Sequence, residues 1–253
     1  MTIAPLGRRR SRGAAVIAVL LSLAVGACGA APAPPTIRQT DTVEHAVTAQ
    51  PAEHDVDLLL IGTSTISRWN TGCSFPGLTV VKRGLSGALI RDIDQNLDDL
   101  LGEMSPRQIV LYAGENDIVG NNDAEQVSQA LLALIGRVQT RFPQARILVL
   151  AIKPTPARMA AWPRAVTVNA ALRAAAAQGG YRVVEMASPL MGPDGPDPRY
   201  FVADGIHLTP EGYARIDAQI AAYLTSTPRS DGAGQESDPA AASRPAGCYP
   251  GPS

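Results

Sequence analysis

Two residues in the stretch "DGIHL" have types and spacing that suit proton transfer: Asp204 stands three positions before His207. Within one turn of chain a carboxylate at that spacing accepts a hydrogen bond from an imidazole N–H, which fixes the ring tautomer and stabilises an imidazolium. A helix starting just after His207 would oppose this, because its positive end favours the neutral ring, and the sequence leaves the balance open. His45 and His54 fall in or beside a polar N-terminal stretch, so a working histidine must be His207. Such a ring is a general base if a hydroxyl lies within reach. The stretch "IGTSTISRW" supplies four hydroxyls, those of Thr63, Ser64, Thr65 and Ser67, where the apolar run "DLLLIG" ends. Ser64 stands at the expected strand end and is the candidate nucleophile. Thr63 and Thr65 are β-branched and Ser67 lies a helical turn later, so these three read as local caps or packing groups. Trp69 is expected to pack below the helix that follows.

Acyl transfer also needs donors aimed at a developing oxyanion. Gly87 in "GLSGA" offers a backbone N–H with no side chain in the way, and Asn116 in "GEND" offers a side-chain amide. Taken singly, each also suits a structural role, Gly87 in shaping a turn and Asn116 in capping a loop. No metal site is expected, since the chain has one in-domain His, no CxxC pair and no HExxH stretch. No cofactor is expected either, for there is no phosphate-cradling G-x-x-x-x-G-K-[ST] loop. A net charge of -1 provides no bulk electrostatic reason to bind nucleic acid.

These residues must be held by a scaffold, and 253 residues of which 45% are hydrophobic suffice for a sizeable core. Five runs have the apolar, β-rich character of strands covered on both faces: "VDLLLIGTS", "LTVVKRGL", "QIVLYAGEN", "ARILVLAIKP" and "YRVVEMA". Helical periods alternate with them. One carries Ile90, Ile93, Leu97, Leu100 and Met104, the next Val127, Leu131, Leu134, Ile135 and Val138, and a third is "AVTVNAALRAAAAQGG", ending in a Gly pair. A last helix is expected from "LTPEGYARIDAQIAAYL", with Thr209 as N-cap and Pro210 as first helical residue. The alternation predicts an α/β fold with a parallel sheet, whose ligands sit outside the carboxyl ends of the strands. There lie "GTST", "GLSGA", "GEND", "KPTPAR" and, after the fifth strand, "ADGIHL". The loop "KPTPARMAAWPRA" is expected to wall the substrate cleft, with Arg158 placed to hold a negative or sugar-like group.

"GTS" at 62–64, Gly87 in "RGLSGA", "GEND" at 114–117 and "DGIH" at 204–207 follow the block order of the SGNH (GDSL-type) hydrolase superfamily, which the chain resembles from 57 to about 225. The resemblance implies a flavodoxin-like three-layer α/β/α sandwich with a five-stranded parallel sheet. It assigns Ser64 as nucleophile, Asp204 and His207 as its partners, and the Ser64 backbone N–H, Gly87 and Asn116 as the oxyanion hole. Thr63 stands where most members carry Asp, and "VLYAGENDI", "AIKPTPAR" and "DGIHLTPEGY" resemble the branch whose first block reads "GSS" or similar. The α/β-hydrolase elbow is a poorer match, because Ile66 replaces the last Gly of G-x-S-x-G.

The ends of the chain differ in character. Basic "RRRSRG" leads into an apolar stretch at 14–27, short for a membrane span and suited to an export signal over 1–27. The segment "AVGAC" resembles a bacterial lipobox, with Cys28 as the lipidated residue and membrane anchor; ordinary cleavage beside an unmodified Cys is the alternative. A tether over 28–54 and a tail over 227–253 are polar and expected to be disordered, leaving one domain at 55–226. Cys73 and Cys248 are expected to form a disulfide in an exported chain, with two unpaired thiols as the alternative. The function expected is that of a serine esterase acting on small or short-chain esters, including O-acetyl groups of envelope glycans or lipids. The alternative is a non-catalytic envelope lipoprotein that binds a glycan or lipid. Oligomeric state is left open.

Overall fold

The computed structural model describes residues 56–120 and 122–224. The five apolar runs form strands β1 (Val56–Gly62), β2 (Val80–Gly84), β3 (Pro106–Tyr112), β4 (Arg146–Leu150) and β5 (Tyr181–Val184). All pair in parallel, in the order β2-β1-β3-β4-β5. Parallel neighbours require crossovers, and these carry the helices. They are α1 (Ser64–Ser67), α2 (Thr71–Ser74), α3 (Ile90–Gln95), α4 (Leu97–Leu101), α5 (Ala124–Arg141) and α6 (Trp162–Ala176), with α7 (Pro210–Leu224) following β5.

The pleat sends alternate side chains to opposite faces, and both are covered along the inner strands β1, β3 and β4, while the edge strand β2 is only partly buried. Leu59, Ile61, Ile109, Leu111 and Val149 join Ile93, Leu131 and Leu172 in one core, beneath α3 to α6. Leu58, Leu60, Val110, Leu148 and Val184 join Ile66, Trp69, Ile216 and Ile220 in the other. This is the three-layer α/β/α arrangement expected. It explains why β1, β3 and β4 read as continuous apolar runs, since beyond their first two residues neither face meets water. Among the described residues no helix is long and apolar enough to cross a membrane.

Two expectations need correction. The first helical period is not one helix: α3 and α4 meet at Asn96, whose φ of -101° and ψ of 14° interrupt the apolar stripe, and Met104 lies beyond both. The "DGIH" block does not follow β5 directly. A two-stranded hairpin, β6 (Met191–Gly192) and β7 (Gly195–Pro196), intervenes. The block instead sits in a turn closed by an antiparallel bridge between Phe201 and Leu208. By contrast α7 starts as expected, with Thr209 Oγ1 accepting the Gly212 N–H at 3.1 Å and Pro210 as first residue. The segments 1–27, 28–54 and 227–253, with Cys28, His45, His54 and Cys248, lie outside the described residues.

Candidate active site

The sheet order reverses at β1, with β2 on one side and β3 on the other, which opens a crevice beyond their carboxyl ends. Ser64 and Asn116 both fall there. Thr63 is still extended, yet its carbonyl already accepts the N–H groups of Ile66 (2.9 Å) and Ser67 (3.1 Å). The chain thus passes from strand to helix within one residue and leaves Ser64 at the head of α1.

Across the crevice, Ser64 Oγ is 2.8 Å from His207 Nε2, and His207 Nδ1 is 2.6 Å from Asp204 Oδ2. The other carboxylate oxygen, Oδ1, accepts the backbone N–H groups of Ile206 (2.8 Å) and His207 (2.9 Å). Partial desolvation would raise the Asp204 pKa, but the bonds from the His207 ring and from these backbone groups outweigh it and hold the carboxyl well below the usual carboxylate range. An ionised Asp204 only accepts, so Nδ1 carries the proton and Nε2 faces the hydroxyl of Ser64 with its lone pair.

The turn carrying Asp204 and His207 is fixed to its surroundings. Val202 N–H donates to the His207 carbonyl at 2.9 Å, and Gly205 N–H to the Val202 carbonyl at 2.8 Å. Gly205 adopts a φ of +64°, and a Cβ there would lie 3.2 Å from Ala157 N, which itself donates to the Gly205 carbonyl at 3.1 Å. Only glycine suits both the conformation and the close approach.

The oxyanion candidates lie on the other side of Ser64. Gly87 is exposed, in a turn with a φ of +75°. Asn116 Nδ2 donates to the carbonyl of Ala88, the next residue, at 2.9 Å, which leaves one amide proton uncommitted. Among the described residues, neither the Ser64 nor the Gly87 backbone N–H has an acceptor. Ser67, expected as a local cap, reaches further. Its hydroxyl donates to the Ser64 carbonyl at 3.1 Å and, having one proton, accepts from Ser86 at 2.9 Å, tying α1 to the Gly87 turn.

Sequence reasoning missed the charged floor of the site. Lys153 is fully buried and forms a very short ion pair with Glu115, which also accepts from Tyr112 Oη at 2.5 Å. Lys153 Nζ reaches Thr65 Oγ1 at 3.2 Å, so the buried Thr65, expected as a local cap or packing group, also belongs to this network. Burial lowers the Lys153 pKa against the opposing effect of Glu115, and burial together with Glu115 raises that of Tyr112 well above its ordinary value. The available signal was a lone lysine closing the apolar run "ILVLAIK". Arg158, expected to hold a substrate group, turns one nitrogen inward: its Nη1 donates to Asn116 Oδ1 at 2.9 Å and lies 3.3 Å from Glu115 Oε1. Trp162 opens α6 and packs on the core. Trp69 packs between α2 and α7, donating to Ser74 Oγ at 2.9 Å and Asp217 Oδ1 at 3.0 Å. Among the described residues no group of three His, Cys, Asp or Glu side chains is arranged to hold a metal ion.

A serine hydroxyl on a carboxylate-backed imidazole, beside uncommitted N–H donors, is the equipment of a serine hydrolase. The GDSL-like lipase/acylhydrolase family matches residues 65–215, more than half of the chain, beginning one position after Ser64. The chain belongs to that family and is an ester hydrolase. It is 27% identical over 177 residues to platelet-activating factor acetylhydrolase IB subunit alpha2 of Rattus norvegicus, covering 65% of this chain and 74% of the relative. A GDSL-like lipase structure from Bacteroides thetaiotaomicron superposes with a TM-score of 0.59 at 21% identity, covering 70% of this chain and 91% of the other. A Clostridium thermocellum family 3 carbohydrate esterase superposes with a TM-score of 0.55 at 18% identity, covering 67% and 96%. These two structural likenesses are likenesses of fold.

Proposed function

We propose that the protein is a serine esterase in which Ser64 attacks the carbonyl of a small or short-chain ester. His207 takes the hydroxyl proton and passes it to the leaving alcohol; water activated by the same ring then releases the acid from the acyl-enzyme. Asp204 holds the ring, and the Ser64 and Gly87 N–H groups with the Asn116 amide stabilise the oxyanion. The observation that carries this reading is the unbroken Ser64–His207–Asp204 relay, at 2.8 and 2.6 Å. O-acetyl groups of envelope glycans or lipids are the proposed substrates; the acetylhydrolase relative supports small acyl groups. Ser64→Ala should abolish p-nitrophenyl acetate hydrolysis and fluorophosphonate labelling while the protein stays folded. Undiminished hydrolysis would remove Ser64 from the mechanism, and a rate that rises steadily with acyl length would remove the short-chain preference.

The proposal extends to placement in the cell. Residues 1–27 act as an export signal, Cys28 carries the lipid anchor and Cys73 pairs with Cys248. Support comes from the basic and apolar order of the N-terminus, the "AVGAC" segment, and the buried position of Cys73. Cys28→Ala should move the protein from the membrane fraction to the soluble one, and alkylation before reduction should find no reactive thiol.

A further inference from the structure

Asn116 can serve an oxyanion only if its amide nitrogen, and not its oxygen, faces the reacting carbonyl. The two ends of that amide are fixed by different partners. The Ala88 carbonyl can only accept, so it selects Nδ2 at 2.9 Å; the Arg158 guanidinium can only donate, so it selects Oδ1, also at 2.9 Å. A 180° rotation of the side chain would set oxygen against oxygen on one side and N–H against a cation on the other. The cation on Oδ1 also draws electron density from the amide and makes its remaining N–H a stronger donor.

Arg158 is itself held. Its Nη1 lies 3.3 Å from Glu115 Oε1, and the other oxygen of that carboxylate is occupied by Lys153 and Tyr112. Only 22% of the Arg158 side chain is exposed. The preceding residue, Ala157, donates to Gly205 in the turn that carries Asp204 and His207. Adjacent residues of one short segment therefore fix the oxyanion donor on one side of Ser64 and the base-bearing turn on the other.

From this arrangement we infer that Arg158 is a positioning residue, which orients and polarises the Asn116 amide for the oxyanion without touching substrate. The inference rests on the proposed role of Asn116. Removal of one oxyanion donor costs about 10²–10³-fold in kcat, so a residue acting through that donor should cost less. Arg158→Met is expected to lower kcat by about 10- to 50-fold with KM within about threefold, because the donor acts on the transition state more than on bound ester. Arg158→Gln, which keeps a donor to Oδ1 and removes the charge, should fall between Arg158→Met and the parent. Arg158→Gln also serves as the second variant should Arg158→Met not fold.

The decisive measurement is the cycle with Asn116→Ala, using p-nitrophenyl acetate as substrate. If Arg158 works through Asn116, adding Arg158→Met or Arg158→Gln to Asn116→Ala lowers kcat by no more than about twofold further. Losses that multiply in the double variant, or a folded Arg158→Gln with parental kcat, overturn the inference while leaving the role of Asn116 intact. Parental kcat in Asn116→Ala instead overturns the oxyanion assignment itself, and the inference with it.

Discussion

The molecule places two carboxylates close to Ser64 in opposite surroundings. Asp204 has a side chain 39% exposed and takes its hydrogen bonds within its own turn, from the ring and backbone of His207 and the backbone of Ile206. Glu115 is 5% exposed and is met by Tyr112, three residues before it, and by Lys153 and Arg158, 38 and 43 positions further along the chain. Asp204 is cheap to ionise, because water and nearby donors solvate it, and its charge is available to steady a cation forming on His207. Glu115 sits out of water with two cations against it, Lys153 on one oxygen and Arg158 on the other, and burying such a group is offset only by close pairing. In the mechanism proposed above, one carboxylate serves the reaction and the other the architecture around it. Their conservative replacements should therefore fail in different assays.

The largest effect is expected from Asp204→Asn. An amide at that position can present its own N–H to Nδ1 and so select the wrong tautomer, which predicts a loss of about 10³–10⁴-fold in kcat/KM. Thermal stability at neutral pH should fall by a modest, constant amount, because the side chain is 39% exposed and an asparagine oxygen still accepts the backbone N–H groups. Acid behaviour sharpens the point. The folded-state pKa is lowered, so the stability contributed by Asp204 is complete above the ordinary aspartate value of about 3.9 and is lost only as pH falls below it. Denaturation midpoints of parent and Asp204→Asn should run parallel above about pH 5 and converge only in stronger acid. A gap that opens near neutrality would show that Asp204 is structural after all.

Glu115 and Lys153 should show the reverse. Lys153→Met leaves a buried carboxylate with Arg158 as its remaining cation, and breaking such a pair costs about 3–5 kcal/mol, here at the lower end because Arg158 stays. Chemical denaturation should register the loss, while the Ser64 of any folded fraction still labels with a fluorophosphonate. Adding Glu115→Gln should recover roughly half of the lost stability, since the carboxylate no longer lacks its partner. If the double variant is no more stable than Lys153→Met, the pair is not the source of the effect.

The same contrast explains what the sequence made legible. Asp204 and His207 are three apart and recognisable as a unit, and the inner strands β1, β3 and β4 announce themselves because burial on both faces makes them almost uniformly apolar. Asn116, Gly87 and Ser64 could be placed on one edge by the rule that ligands collect at strand ends. The floor of the site obeys no such local rule. Lys153 contacts Thr65 across 88 positions and Glu115 across 38, and neither spacing carries a period. Arg158 is expected at the substrate from the place of its loop at the ligand edge of the sheet; the bond from its Nη1 to Asn116, 42 positions away, follows from no local pattern. The break between α3 and α4 was missed for a related reason, since Ile90, Ile93, Leu97 and Leu100 keep a helical stripe across the interruption.

The smallest effect worth measuring lies two residues beyond His207. Thr209 Oγ1 accepts the Gly212 N–H at 3.1 Å and donates to the Arg199 carbonyl at 2.9 Å, so it caps α7 and ties it to the turn before the base. An N-cap threonine replaced by alanine typically costs about 1 kcal/mol. Thr209→Ala should therefore lower stability by about that amount. Its effect on kcat tests whether the turn depends on the helix that follows. The bridge between Phe201 and Leu208, the backbone bonds to Asp204 Oδ1 and the contact of Gly205 with Ala157 hold the turn without help from Thr209. The expected kcat is within about twofold of the parent, a change near the limit of what 0.4 kcal/mol produces. A tenfold loss of kcat would mean instead that the start of α7 sets the position of His207, and that the exposed relay depends on distant packing much as the buried network does.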